Sequence, residues 1–256
     1  MREDRINLME EYVIRNGVVS MEELAEQFQI SINTVRRDVK QLLTRRTLVK
    51  VYGGVAVRER QDTQPVLPFA IRIEKNRKAK ETIGRLASEL VQDGDSIFLD
   101  SGSTTPQILP HLADKTGVTV LTHSLSVLTE ASKYRNLRVI AFGGIFNPDT
   151  ASYVDIETMA SLSRFTIDKV FVAATGVSLE NGLTNTTFLE AEIKRMIVKR
   201  AKKLILLADS SKFDYSSIIT FCDFNNLSCV VTEKRPPAHF VEAMEANQIA
   251  LYCEKD

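Results

Sequence analysis

The stretch Ser31-Ile32-Asn33-Thr34-Val35-Arg36-Arg37-Asp38-Val39-Lys40-Gln41-Leu42-Leu43 decides how the chain begins. Ser31 is a helix N-cap residue, and Val35, Val39, Leu42 and Leu43 recur at i, i+4, i+7 and i+8, one stripe of a helix. Asn33, Thr34, Arg36, Arg37 and Lys40 fall off that stripe. One face therefore packs, and the other carries the amide, hydroxyl and guanidinium groups that bond base edges and phosphates. Taken in isolation, a helix of this kind reads first as a solvated surface helix, so the neighbouring sequence has to decide.

Upstream, Ser20-Met21-Glu22-Glu23 has the form of a capping box, with Glu23 expected to reach back to Ser20. Met21, Leu24, Ala25 and Phe28 make the stripe of a short helix, and Gln29-Ile30 leaves room for a tight turn only. Two capped helices so joined form a helix-turn-helix, whose second helix enters the major groove. Arg2 to Arg15 predicts a first helix with Ile6, Met9 and Val13 inward, Leu8 and Tyr12 as further members of that face, and Asn16-Gly17 as its end. Thr47 to Val57 predicts a β-hairpin, Leu48, Val49 and Val51 leading into Gly53-Gly54 and Val55 and Val57 leading out. Three helices and a two-stranded wing make a winged helix.

Charge agrees with this choice of face. Residues 1–30 hold three basic and seven acidic residues. Residues 31–60 hold eight basic residues (Arg36, Arg37, Lys40, Arg45, Arg46, Lys50, Arg58 and Arg60) against two acidic ones. A chain of zero formal net charge that gathers its positive charge on one helix and wing has the footprint of a phosphate-backbone binder.

These residues resemble the DeoR family of bacterial transcriptional repressors. The resemblance rests on Ser20-Met21-Glu22-Glu23-Leu24-Ala25 followed by Ser31-Ile32-Asn33-Thr34-Val35-Arg36-Arg37-Asp38, and on the wing turn Tyr52-Gly53-Gly54-Val55, where the family more usually has His-Gly-Gly-Ala. Ser31, Asn33, Thr34, Arg36, Arg37, Lys40, Arg45, Arg46, Lys50, Tyr52 and Gly53 are the expected DNA contacts.

With 256 residues, one to two domains are expected. No run of about 18 apolar residues exists, so no membrane-spanning helix is expected. The charged start, Arg2-Glu3-Asp4-Arg5, argues against a secretory signal, and a cytoplasmic protein is expected. Cys222, Cys229 and Cys253 are too widely spaced for a disulfide framework or a zinc motif, and His111, His123 and His239 are isolated; no metal or other cofactor is expected.

Residues 1–57 form the expected DNA-binding domain, 58–71 a polar linker containing Pro65 and Pro68, and 72–256 a second domain. Within the last, a helix is expected over Arg72–Val91, with Ile83, Leu86, Ala87 and Leu90 on one face and a basic start that is either solvated or part of a binding surface. From Asp95 the period changes. Ser96–Leu99, Val118–Leu121, Leu137–Phe142, Lys169–Ala174, Lys203–Leu207 and Cys229–Val231 are short apolar runs of the kind buried on both faces of a parallel sheet. Helical segments at Pro106–Leu112, Leu125–Ser132 and Phe188–Arg200 separate several of them. A last helix, about Ala238–Ala246, precedes a short strand near Ala250–Tyr252. The expected fold class is thus an α/β domain with a mainly parallel sheet, preceded by a winged helix-turn-helix.

Open α/β sheets bind ligands beyond the carboxyl ends of their strands. There the chain places Asp100-Ser101-Gly102-Ser103-Thr104-Thr105-Pro106, then Thr122-His123-Ser124, Gly143-Gly144, Thr175-Gly176 and Asp209-Ser210-Ser211-Lys212. Gly102 permits close approach, hydroxyls surround it, and Pro106 suits the start of a helix whose N-terminus attracts anions. Taken singly, each loop is also what a tight βα turn requires. As a set they resemble the effector domain of the DeoR family, which is similar in fold to ribose-5-phosphate isomerases and CoA transferases and senses phosphorylated sugars or related metabolites. The resemblance implies an effector site at Asp100, Ser101, Gly102, Ser103, Thr104, Thr105, Thr122, His123, Ser124, Gly143, Gly144, Gly176, Lys194, Asp209 and Lys212. Three positions depart from the family pattern: Ser103 replaces Thr, His123 replaces Asn, and Asp155 replaces Gly.

The function implied is a repressor of carbohydrate metabolism, without enzyme activity, whose partners are double-stranded operator DNA, a phosphorylated effector and further copies of itself in a dimer or tetramer. A sugar-phosphate isomerase or deaminase carrying an accessory DNA-binding domain is the alternative. Asp100, Glu190, Asp209 and Lys194 are its candidate acids and bases, although their spacing places no constellation. A ligand-free architectural DNA binder would leave the strand-end loops unexplained.

Overall fold

The computed structural model describes residues 2–16, 18–44, 48–51, 54–57, 68–154, 161–162 and 164–254. It divides into two units, Met1–Gln64 with Ala70–Lys75, and Pro65–Phe69 with Asn76–Asp256. Arg45, Arg46, Tyr52, Gly53, Asp155, the expected helix end at Gly17 and most of the expected linker lie outside the described residues.

The first unit contains α1 (Arg2–Asn16), β1 (Val18–Ser20), α2 (Met21–Gln27), α3 (Ile32–Thr44), β2 (Leu48–Val51) and β3 (Gly54–Val57). Its core joins Ile6, Met9 and Val13 of α1 to Leu24 of α2, to Val35, Val39 and Leu42 of α3, and to Val19, Leu48 and Val55 of the strands. Leu8 is 56% exposed, against the expectation that it faces inward. It follows Ile6 by two positions, which puts it on the far side of a helix. Tyr12 is half-buried, edge-on to Phe28.

The Ser20 hydroxyl caps α2, accepting from the Glu23 N–H at 3.0 Å. The Glu23 carboxylate meets the Tyr12 hydroxyl at 3.4 Å, the partner the structure gives it in place of the Ser20 N–H. Gln29, in the left-handed region at φ 50°, turns the chain toward α3. There the Ser31 hydroxyl accepts from the Thr34 N–H at 3.3 Å.

The wing has a third strand that sequence periodicity could not reveal, because β1 is only three residues long. The order is β1-β3-β2, antiparallel throughout, with Ser20 opposite Gly54. A Cβ on Gly54 would lie 2.2 Å from the Val19 carbonyl oxygen, so glycine is what lets these two strands close.

The stretch from Phe69 to Ser88, whose Ala70–Lys75 part belongs to the first unit, differs from expectation. In place of one helix over 72–91, α4 (Phe69–Glu74) and α5 (Arg77–Ser88) are separated at Asn76, which is left-handed at φ 56°. Asparagine tolerates that conformation, and an α-helix cannot run through it. The start of α4 also shortens the expected linker. There follow β4 (Ser96–Leu99), a 3-10 helix (Thr105–Leu112), β5 (Thr119–Thr122), α6 (Leu125–Ala131), β6 (Arg138–Ala141), β7 (Ile145–Asn147), β8 (Ser152–Val154), β9 (Ile167–Ala173), β10 (Gly176–Ser178) and β11 (Gly182–Asn185). The chain continues through α7 (Phe188–Val198), β12 (Ala201–Leu207), β13 (Ile219–Cys222), β14 (Cys229–Val231), α8 (Ala238–Ala246) and β15 (Ala250–Tyr252).

All seven sequence-read strands join one parallel sheet, in the order β15-β14-β12-β9-β4-β5-β6. One face packs on α5, the 3-10 helix and α6 through Ile83, Leu86, Ile108, Leu112 and Val127. The other packs on α7 and α8 through Ile193, Ile197, Phe240 and Met244. The strands are not all doubly buried: β6 is an edge strand, and Arg138, Val139 and Ala141 are exposed. The segment begun by Pro106 is a 3-10 helix, which accommodates a second proline, Pro110. Two small antiparallel sheets, β10-β11-β13 and β7-β8, add to the parallel one.

Among the described residues, no helix is long and apolar enough to cross a membrane, and no group of acidic, His or Cys side chains is placed to hold a metal ion. The cysteines are free, and burial pushes the thiols of Cys222 and Cys229 up to about 11 and about 12.

One contact in the first unit was not legible in the helical stripe. Asp38 of α3 is 1% exposed, and one of its oxygens accepts from Arg5 Nε and Nη2 at 2.9 and 2.8 Å. It ties the recognition helix to α1. Asp38→Ala is expected to destabilise this unit by about 2–4 kcal/mol, below the usual cost of breaking a buried pair because Arg5 retains solvent. Urea unfolding followed by a probe on α1 measures it, and an unchanged midpoint would show that the pair is not structural.

Candidate functional site

On α3, Asn33, Arg36, Arg37 and Lys40 are exposed, and none of their side chains bonds to another described residue. Val35, Val39 and Leu42 face the opposite way into the core. Ser31 and Thr34 are partly committed to the cap, their hydroxyls 2.9 Å apart. Lys50, on β2, is exposed. The structure thus presents two guanidinium groups, an amide and an ammonium on one rigid helical face, the set that can meet base edges and phosphates.

In the second unit, Asp100 follows β4 and is fully buried. Its Oδ2 accepts from Lys194 Nζ of α7 at 2.9 Å and from the Ala173 N–H at 3.1 Å. Burial alone would raise its pKa; the Lys194 ammonium and the His123 imidazole outweigh that and hold the carboxyl well below the usual carboxylate range. Lys194 also donates to the Ala173 carbonyl at 2.6 Å and to Asn185 Oδ1 at 3.1 Å. Its three N–H bonds are therefore all directed at acceptors.

Glu190, one turn before Lys194 on α7, is 5% exposed. Ser101 Oγ donates to its Oε1 at 2.9 Å, and Asn185 Nδ2 and Thr187 Oγ1 donate to its Oε2 at 3.1 and 2.8 Å. Asn185 and Thr187 were not anticipated. They arrive through β11 and the entry to α7, an antiparallel excursion that carries no long apolar run.

The Gly102–Thr104 loop lies directly after Asp100. A Cβ on Gly102 would come within 2.3 Å of the Ala173 methyl, so the close approach it permits is to β9. Thr105 Oγ1 donates to the carbonyls of Asp100 and Gly102 and holds the loop from within. The backbone N–H groups of Gly102, Ser103 and Thr104 reach no carbonyl among the described residues, and the hydroxyls of Ser103 and Thr104 make no bond there either. Three amides and two hydroxyls left without acceptors form a cradle for an anion.

Thr122 and Ser124 serve the local backbone: Thr122 Oγ1 donates to the Leu99 carbonyl, and Ser124 Oγ caps α6. His123, between them, is fully buried. Gly143 and Gly144 are exposed beyond β6, and Gly176 is buried at the start of β10.

Asp209 belongs to a different hydrogen-bonded group. Its Oδ1 accepts from Asn76 Nδ2 at 3.0 Å and from the Ser211 N–H at 3.1 Å. Burial would raise its pKa, and the Lys212 charge with these bonds lowers it. An open cleft of about 430 Å³ beside it is lined by Asn76, Arg77, Lys78, Ser210, Ser211 and Glu233. Of the four candidate acids and bases, then, Asp100, Glu190 and Lys194 come together and Asp209 is bonded elsewhere.

Comparison with known proteins follows the same division of the chain. The model of the DeoR-like helix-turn-helix domain matches residues 5–61, and that of the DeoR C terminal sensor domain matches residues 75–234. The chain is 39% identical over 248 residues to the HTH-type transcriptional regulator IolR of Bacillus subtilis, across 97% of this chain and 98% of that protein. It is 26% identical over 248 residues to the glycerol-3-phosphate regulon repressor of Escherichia coli, across 96% and 97%. Among solved structures it is similar to ribose 5-phosphate isomerase A of Methanocaldococcus jannaschii, at 19% identity and TM-score 0.40 over 54% of this chain and 55% of that one. It is also similar to eIF2B beta of Chaetomium thermophilum, at 14% identity and TM-score 0.44 over 89% and 63%. An exposed basic helix on a helix-turn-helix, joined to an α/β unit with a buried polar cluster, and matched over nearly its whole length by named regulators, places the chain in the DeoR family of transcriptional regulators.

Proposed function

We propose that the protein is a repressor of a carbohydrate-metabolism operon whose operator affinity is set by a phosphorylated sugar or polyol bound at the Asp100–Lys194 cluster. The observation that carries this reading is the cradle of Gly102, Ser103 and Thr104, whose N–H groups reach no carbonyl among the described residues, next to a buried, already compensated ion pair. A phosphate in the cradle accepts from backbone N–H groups, and the sugar lies toward Asp100. A relative named for a glycerol-3-phosphate regulon supports a phosphorylated ligand. Thr122, Ser124, Gly176 and the Gly143–Gly144 turn shape the surroundings.

Sensing rather than turnover is favoured by saturation. Lys194 spends its three protons on Asp100, Ala173 and Asn185, and Glu190 receives three donors. A general acid or base needs a free position toward the substrate. The regulator works by linkage: the effector binds the DNA-competent and DNA-incompetent forms unequally, and DNA changes effector affinity by the same factor. Self-association supplies the second DNA-reading helix that an adequate interface needs.

Arg36 and Arg37 read bases in this account, with Asn33 and Lys40 beside them and Lys50 on a phosphate. Arg37→Ala is expected to lose roughly 1–3 kcal/mol of discrimination per half-site, with Arg36→Ala acting likewise, while the fold is kept. Gel-shift titration against operator and scrambled duplexes measures this; equal specific affinity in both variants would remove α3 from the groove.

The effector should lose at least about a hundredfold in affinity when its phosphate is removed, since two charge-assisted bonds of about 1.5–3 kcal/mol each disappear. Calorimetric titration of matched sugar and sugar-phosphate pairs tests it, and a free sugar that binds as tightly as its phosphate refutes the cradle. Replacing Ser103 and Thr104 by Val should reduce the phosphate preference without lowering the melting temperature of the ligand-free chain.

A further inference from the structure

The large apolar side chains that the second unit leaves in water are not spread evenly. The five most exposed among its described residues are Ile145, Ile218, Phe188, Leu189 and Phe146, between 71% and 43% exposed. All five stand at the carboxyl end of the parallel sheet. Ile145 and Phe146 lie on β7, and Phe146 meets the Tyr153 ring of β8 at 5.4 Å between centroids. The Tyr153 N–H donates to the His123 carbonyl just beyond β5, which fixes that hairpin at the strand ends. Phe188 and Leu189 open α7, whose Glu190 takes the Ser101 hydroxyl just beyond β4. Ile218 is joined to them through the hydroxyls of Thr186 and Ser217, 3.2 Å apart. Helix α7 also packs on β8, so hairpin and helix are neighbours.

The segments that carry these side chains are uncharged. Residues 143–148, 186–189 and 216–218 contain no Asp, Glu, Lys or Arg, in a chain of which 26% is charged. The ionisable groups at their borders are already matched: Glu190 receives three donors, Glu192 pairs with Arg195, and Asp214 bonds to His239. The polar side chains among the apolar ones include Asn147, Thr186, Ser216 and Ser217, neutral groups that both donate and accept. Two-fold symmetry sets residues near the axis against their own copies. A face that meets itself therefore has to avoid like charges and to use groups that can play either part. A lipid surface would call instead for Lys and Arg beside the apolar residues.

Area agrees with that reading. Five large apolar side chains at roughly half exposure present on the order of 500 Å². Each partner of a standard interface contributes about 800 Å², of which about 65% is apolar in homodimers, so one copy has to supply about 520 Å² of apolar surface. A patch of this size is at the upper end of what a monomer leaves in water, and such patches commonly mark contact sites. We infer that this face, at the carboxyl end of the sheet, is an isologous interface that takes the same face of a second copy of this chain. The inference rests on the self-association proposed above and gives it a surface; it does not depend on which effector is bound.

Sedimentation equilibrium of the full-length protein tests it, on the wild type and on Ile145→Glu, Phe188→Glu and Ile218→Glu. These are the three most exposed positions of the face, so in a single copy the glutamate stays in water and the fold is kept. The wild type should be a dimer or a multiple of one. Each substitution should weaken association by at least about a hundredfold, about tenfold for each lost side chain, because the two-fold presents it twice. Tyr252→Glu, on the far edge strand β15, should leave the association constant unchanged.

A monomeric wild type would overturn the interface and the proposed self-association together. An associated wild type whose three variants keep its association constant would overturn this face alone and leave self-association standing. Loss of association in Tyr252→Glu alone would move the contact to β15 and overturn the face as well. A monomer that floats with phosphatidylglycerol vesicles would give the face to a lipid surface and end the case for a second copy. Because a glutamate could disturb the fold, the wild type supplies a second measurement. Hydroxyl-radical footprinting of the associated protein should find Phe146 and Phe188 protected and Tyr252 reactive. Oxidation of both phenylalanines in line with their exposure in a single copy would refute the interface without any variant.

Discussion

The second unit depends on the ion pair between Asp100 and Lys194, 2.9 Å apart and out of contact with water. Moving two charges into a protein interior costs more than their attraction usually returns, unless further hydrogen bonds satisfy what remains. Here they do. The Ala173 backbone is bonded twice, its N–H to Asp100 and its carbonyl to Lys194, and Asn185 takes the third lysine proton. One pair of charges thereby ties the ends of β4 and β9 to β11 and α7. The parallel sheet supplies the rigid floor, and the antiparallel excursion is fastened to it at the strand ends.

A lysine surrounded by three acceptors and a glutamate surrounded by three donors are strong positioning elements and poor proton carriers. What remains open is the anion cradle after Asp100. The cradle has the amides and hydroxyls that fit negative charge.

The first unit has a smaller counterpart in Asp38 and Arg5. In the middle of the basic helix, one acidic residue faces inward and meets an arginine from α1. The helix can then present Arg36 and Arg37 outward without an acidic neighbour on the same face. The wing is closed by contact distance, through Gly54 against the Val19 carbonyl.

Much of this was written in local pattern. The stripe Val35, Val39, Leu42 placed α3 and its exposed basic face. The short apolar runs from Ser96 to Val231 named the strands of the parallel sheet, because burial on both faces leaves few polar residues in a strand. The loops at strand ends were legible for the same reason, as the sites where the apolar pattern stops. Pattern failed where length or partner decided. Strand β1 is three residues and exists only because β3 pairs with it; the helix expected over 72–91 breaks at Asn76, whose amide is held by Asp209; Leu8 is turned out by the pitch of its helix. By itself, the sequence determined the strands of the parallel sheet in chain order, the exposed basic face of α3 and the residue types at the strand ends. Only tertiary structure decided which of them meet. Asp100, His123, Glu190 and Lys194 are spread over almost a hundred positions, and their charges are paired, saturated or left open according to distances that exist only once the sheet has closed.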